Sequence, residues 1–263
     1  DRMLADSRSD ALVTNFAAQW LYLRDVDAKE PDLYLFRDFD EGLRSAFARE
    51  TQLFLDSILR QNKSVLELVT AKYTYLNERL ADHYGIKNVE GVAMRPVTLP
   101  SDSPRGGLMT QASVLKVTAN GTTTSPVIRG KWIMERIVGI EMPLPPAAVP
   151  AVEPDIRGAV TIRQQLVKHR ADESCAMCHR KIDPVGFALE SFDVLGGWRD
   201  RYRATAIDAA PAVGFGKNGW PFAFYFAQPV DPSGSLNGRP FAEVKEFKRL
   251  LLADEPTGNL DSV

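Results

Sequence analysis

Cysteine and histidine are the scarce residues of this chain: two and three, respectively, in 263. Two cysteines cannot build the multi-bridge framework that holds small secreted domains together, so stability must come from packing. No uninterrupted apolar run approaches the roughly 18 residues that a membrane-spanning helix needs. An excess of one charge is also lacking. The formal net charge is −2, which gives no general electrostatic case for nucleic acid or for an anionic membrane surface. There is no G-x-x-x-x-G-K-[ST] loop to cradle phosphates, since Gly130-Lys131 and Gly216-Lys217 lack both the spacing and the Ser/Thr. Internal repeats and low-complexity tracts are absent as well. The chain starts Asp1-Arg2-Met3, already polar, with no leader in view. What is there is ordinary globular composition, 44% hydrophobic and 25% charged. That is enough for one large core or two smaller ones.

Both cysteines and one of the three histidines fall in a single stretch, Cys175-Ala176-Met177-Cys178-His179. This is a C-x-x-C-H motif, the attachment signature of c-type haem. Two thiols three positions apart can each form a thioether to one haem vinyl group. The histidine directly after them supplies an axial nitrogen to the iron. A zinc site drawing on His169 is the competing reading, but it would need the adjacent Cys178 and His179 to bind one ion, an awkward geometry. A thioredoxin-like redox pair lacks the surrounding βαβ pattern. One covalent haem c is therefore the expected cofactor. Covalent attachment belongs to oxidising compartments outside the cytoplasm. The expected location is periplasmic or extracellular, with a leader and further sequence upstream of this chain.

Hydrophobic periodicity reads as mainly α. Helical spacing runs from Asp10 to Asp25 and from Asp38 to Gln61. Ser64 reads as an N-cap, and a further helix spans about Tyr75 to Tyr84 with Gly85 as its stop. Gly91 to Gly107, with Pro96, Pro100 and Pro104, reads as a loose junction. Leu108 to Val114 is a short helix or strand, and Asn120-Gly121 marks a sharp turn. Ser125 should cap a helix with Pro126 at its first position, running to about Gly139. The proline-dense run from Met142 through Pro154 suggests an extended crossing. Thr161 to Arg170 reads as a helix, the segment after His179 as turn-rich, and Pro240 to Leu252 as a last amphipathic helix. Gly214 to Tyr225 fits no element clearly. The expected organisation is a helical domain over 1–90, a loop-rich α-helical c-type haem domain over 104–203, and a small C-terminal helical segment over 204–263.

Three runs are distinctive: Arg105-Gly106-Gly107-Leu108-Met109-Thr110-Gln111-Ala112-Ser113-Val114-Leu115, Thr124-Ser125-Pro126-Val127-Ile128-Arg129-Gly130-Lys131-Trp132, and His169-Arg170 followed by Cys175 through Asp193. Together they resemble the planctomycete-type c cytochromes, large secreted chains of several consecutive domains of unknown function. The opening helices, including Tyr73 through Ala81, resemble the domain that precedes the haem domain in that family. Val230 through Leu252 resembles the small domain that follows it. The resemblance implies a haem protein that commonly has other cytochrome domains upstream, of which this chain is a C-terminal portion. One run departs from it. Leu250 through Ser262 resembles the Walker B region of ABC-transporter ATPases, but without a phosphate-cradling loop an Asp-Glu pair cannot act on Mg-ATP.

His179 is the expected proximal ligand, its other ring nitrogen bonded to a backbone carbonyl near Pro184, with Pro184 packed on the proximal haem face. The sixth position is open to several readings, because no Met or His follows His179. His169, Met142 and Met109 are the candidates in that order; a five-coordinate iron or a ligand from another chain are the alternatives. Arg129, Lys131, Trp132 and Arg199 are candidates to bond the haem propionates. Phe187, Leu189, Phe192 and Trp198 are expected to wall the haem. The expected function is single-electron transfer with a redox partner protein or other cytochrome domains, without nucleic acid, ATP or a membrane span. A peroxidase-like haem enzyme, with Glu190, Asp193 or His169 as acid–base residue, is the alternative. A structural zinc or haem module is a third reading.

Overall fold

The computed structural model describes residues 2–4, 6–143, 161–170, 173–205, 207, 210–216 and 218–253, and for residues 168, 169 and 173–175 the backbone alone. The proline-dense run after Pro143 and the Walker-B-like tail after Ala253 lie outside the described residues. The chain opens with wide helical turns over Leu12–Ala17 that run into α1 (Ala18–Trp20). The helix expected to reach Asp25 stops because Tyr22 adopts a left-handed conformation, φ 60°, which breaks the hydrogen-bond ladder. α2 (Glu41–Arg60) begins where Asp40 caps it, its carboxylate accepting from the Leu43 N–H at 2.7 Å. Leu43, Phe47, Phe54 and Leu55 form its buried stripe. α3 (Glu67–Thr70) is a single turn.

Tyr73–Leu76 is a strand, β1, rather than the start of a helix. Its antiparallel partner β2 (Arg95–Thr98) lies in the segment expected to be a loose junction, with Pro96 opposite Tyr75. A two-stranded sheet has only edges, so a proline there forfeits no inner ladder. α4 (Glu78–Tyr84) starts at Asn77, which accepts from the Leu80 N–H at 2.9 Å, and ends at Gly85 with φ 70°. α5 (Ala112–Val117) is buried along its whole length.

α6 (Pro126–Arg136) starts as its sequence requires: Ser125 Oγ accepts from the Ile128 N–H at 3.3 Å and Pro126 occupies the first turn. α7 (Ile162–His169) leads to α8 (Glu173–Phe187), which carries the C-x-x-C-H motif and continues through Pro184. The residues just after the motif are thus helix, not turns. α6 and α8 form the most extensive helix–helix contact, and two glycines make it possible. A Cβ on Gly130 would lie 2.1 Å from the Ile182 carbonyl oxygen, and one on Gly186 would lie 1.8 Å from that of Pro126.

The C-terminal part is largely β. β3 (Arg201–Ala204), β4 (Ala212–Phe215) and β5 (Pro221–Pro229) form an antiparallel sheet in the order β3-β5-β4. β6 (Gly234–Leu236) and β7 (Arg239–Phe241) form a hairpin, and α9 (Val244–Ala253) follows. Among the described residues three antiparallel sheets stand beside the helices, so the fold is mixed α and β and not mainly α. The physical reason is visible in β5, where Phe222, Phe224 and Phe226 alternate with the period of a strand. One hydrophobic cluster draws on residues from Val13 to Phe247 and includes Trp132, Ile133, Ile182, Val185, Leu189 and Phe192. A second gathers Leu35, Phe36, Phe47, Leu76, Leu80 and Phe224. Among the described residues no helix is long and apolar enough to cross a membrane.

Candidate haem site

The motif lies in one unbroken helix. Positions 175, 178 and 179 fall at i, i+3 and i+4 of α8, which share a helix face. Cys178 is a half-buried thiol packed against the larger hydrophobic cluster. The His179 side chain is 14% exposed, and its Nδ1 lies 2.9 Å from Oδ1 of Asp183, one turn further along α8. A carboxylate can only accept, so Nδ1 donates and the ring's lone pair sits on Nε2. Asp183 is 0% exposed, with its Oδ2 3.7 Å from Nε of Arg170. Asp183 therefore links the Arg170 guanidinium to the His179 imidazole.

This corrects one expectation. The partner of His179 Nδ1 is the Asp183 carboxylate, where a backbone carbonyl near Pro184 was expected. Pro184 sits inside α8, half-buried, and β6 passes over it so closely that a Cβ on Gly234 would lie 2.5 Å from its carbonyl oxygen. The residue types on this helix face, Cys178, an imidazole oriented by a carboxylate, and a second cysteine three positions earlier whose backbone alone is described, fit the chemistry that a covalent haem would need.

Most donors of the residues expected to bond propionates are engaged by protein atoms, although Arg129 Nε is buried without a hydrogen-bond partner among the described residues. Arg129 is fully buried: Nη1 donates to the carbonyls of Leu189 at 2.6 Å and Phe192 at 2.7 Å, and Nη2 to that of Asp193 at 2.9 Å. Burial lowers its guanidinium to about 10, with Glu190, 3.6 Å away, opposing the shift. Arg199 donates to the Glu190 carbonyl at 3.0 Å, to Thr124 Oγ1 at 2.8 Å and to Glu190 Oε2 at 3.2 Å. Trp132 Nε1 donates to the Leu21 carbonyl at 3.4 Å. Lys131 is half-exposed and 3.6 Å from Glu135. These residues tie α6 to the segment that follows α8 and to the opening helical turns.

Glu190 is the hub of that tie. Its Oε2 also accepts from Thr124 Oγ1 at 2.8 Å and from Tyr202 OH at 3.0 Å. Burial, reinforced by Glu190, pushes the Tyr202 phenol above its usual range. Asp193 Oδ1 accepts from the backbone N–H groups of Leu195 at 2.9 Å and Gly197 at 2.8 Å, closing a turn. Both carboxylates named for acid–base work thus have structural partners. Phe187 is buried beneath the Arg163 guanidinium, 3.7 Å from its ring centre. Leu189 and Phe192 belong to the main cluster, and half-exposed Trp198 meets Phe192 edge-on. Met109 and Met142 are buried in the same cluster against which Cys178 packs. The side chain of His169 lies outside the described residues.

Sequence reasoning passed over Asp183 and Arg170 as functional residues. The signal was present, since a carboxylate four positions after a histidine on a helix lies one turn away on the same face.

Residues 105–202 match a family model described as PSCyt3, a protein of unknown function (DUF1588). Residues 1–86 match one described as PSD4, a protein of unknown function (DUF1592). No curated protein and no solved structure matches the chain. α8 and its motif lie inside the first match, and α2 and α4 inside the second. The chain is thus similar, in succession, to PSD4 and PSCyt3, two domains found in planctomycete-type cytochrome c proteins.

Proposed function

We propose that this chain is a c-type cytochrome module that carries single electrons outside the cytoplasm, within a larger protein or with a partner redox protein. The observation that carries the reading is the C-x-x-C-H motif on one face of α8, with His179 oriented by a buried carboxylate. Cys175 and Cys178 would each add across a vinyl group: sulfur bonds to one vinyl carbon and the thiol hydrogen goes to the other, so no oxidant is consumed. His179 Nε2 would supply the proximal ligand. Haem held in this way supplies one-electron iron chemistry. Ile182 and Val185, buried on the turns that follow, exclude water from the same helix. The structural engagement of Glu190 and Asp193 weighs against the enzyme alternative, because an acid–base residue must be able to reach substrate.

The absorption spectrum of the haem-loaded chain tests the reading. A low-spin c-type spectrum, with a sharp reduced α-band and no change on adding carbon monoxide, is expected. A high-spin ferric spectrum with rapid peroxide reactivity would overturn electron carriage in favour of an enzyme.

A further inference from the structure

We propose that Asp183 is a positioning residue that sets a low reduction potential at this site, by drawing the Nδ1 proton of His179 and raising the electron density on Nε2. The inference rests on the haem reading above. Three observations carry it. The Nδ1 to Oδ1 distance is 2.9 Å, a full hydrogen bond to a charged acceptor. Asp183 is 0% exposed, so bulk water does not compete for its oxygens. The Arg170 guanidinium, 3.7 Å from the second oxygen, balances the buried charge and limits how strongly Asp183 pulls on the imidazole proton.

The geometry is also stiff. Both partners of the bond stand on α8, and the Gly130–Ile182 and Gly186–Pro126 contacts press that helix onto α6. A neutral carbonyl acceptor would orient the ring but add no charge. A carboxylate makes the imidazole a stronger donor, and a stronger donor favours the ferric over the ferrous state. The partner that reduces this module must then itself be a low-potential donor.

Potentiometric titration of the haem-loaded full chain at one fixed pH tests this. Asp183→Asn keeps an oxygen that can accept from Nδ1 and removes the charge. It should shift the ferric/ferrous ratio at a given potential at least tenfold toward ferrous, a rise of about 59 mV for one electron. Arg170→Gln removes the cation 3.7 Å from the second oxygen of Asp183 and should move the potential the opposite way. That shift should shrink when Asp183→Asn is also present, because Arg170 acts through Asp183. A merely structural role would not give opposite signs. An unchanged or lower potential in Asp183→Asn overturns the proposal, as does an unchanged or higher one in Arg170→Gln. If Asp183→Asn fails to fold, Arg170→Gln decides alone. Absence of haem from the wild-type chain would overturn the function reading, whereas a normal haem spectrum with unmoved potentials would overturn this inference only.

Discussion

Replacing Gly130 by alanine sets two physical effects against each other at the crossing of α6 and α8. Helix propensity alone favours alanine over glycine by about 1 kcal/mol in a helix interior. The structure opposes it. The new Cβ would lie 2.1 Å from the Ile182 carbonyl oxygen and 2.9 Å from both the Ile182 carbonyl carbon and Cγ2, where real Cβ contacts essentially never fall below 3.0 Å. α8 would have to withdraw until that gap reached at least 3.0 Å, and the obstacle is backbone, which cannot rotate aside. Overpacking of a tight core typically costs about 1–3 kcal/mol, and a backbone clash belongs at or above the top of that range. The net expectation is a loss of about 2 kcal/mol, or a Tm lower by roughly 4–8 °C for a chain of this size. Far-UV circular dichroism melts and urea midpoints of the full chain measure it. Gly186→Ala, 1.8 Å from the Pro126 carbonyl oxygen, should lose more. A Tm for Gly130→Ala equal to or above wild type would refute the claim that glycine at this position is what lets the motif helix dock.

Two further outcomes follow from buried charge. Burial raises the Glu50 carboxyl to about 7, against hydrogen bonds donated by Thr74 at 2.5 Å and Tyr84 at 2.6 Å. The folded chain holds this proton up to about pH 7, while the unfolded chain releases it near 4.5. The Glu50 contribution is thus full below pH 4.5 and lost as pH rises through 7, on the order of 3 kcal/mol relative to Glu50→Gln. Parallel stability–pH curves for the two proteins, from urea midpoints, would contradict it. Arg129→Met leaves the buried carbonyls of Leu189, Phe192 and Asp193 without their donor and removes the cation beside Glu190 Oε1, while Arg199 stays on Oε2. It should cost about 3–5 kcal/mol by chemical denaturation, and a loss under about 1 kcal/mol would show that the buried ion pair does not hold this region.

What could be read from the sequence was mostly local. Ser125 with Pro126, Gly85 and Asn120-Gly121 announce helix starts, stops and turns because cap and turn chemistry acts over a few residues. Gly121 indeed has φ 94°, and Asn120 Oδ1 accepts from the Thr123 N–H at 2.7 Å. The strands were harder. The alternation of Phe222, Phe224 and Phe226 was masked by Tyr225, an aromatic residue of the opposite parity. Asn237-Gly238, with φ 49° and 77°, is a hairpin signal that was legible and went unused. Pro184 read as a turn because proline breaks isolated helices, but packing against α6 and β6 carries α8 through it.

At the site, the C-x-x-C-H motif was legible from spacing alone. The role of Arg129 was not, because an arginine that binds carboxylates and one that ties up core carbonyls look the same in sequence. Asp183 lay between these cases: its i, i+4 spacing was visible, but only burial makes it a strong partner.

The proposed function depends on covalent attachment of haem to Cys175 and Cys178 of α8. Intact mass of the full chain, produced together with a cytochrome c maturation system and measured under denaturing conditions, tests it most directly. The wild type is expected to gain the mass of one haem that survives denaturation; Cys175→Ser and Cys178→Ser, each limited to one thioether, should show that same gain on a smaller fraction of chains or none, and the double replacement should show none. The mass of the bare polypeptide in the wild type, with no haem absorbance, would contradict it.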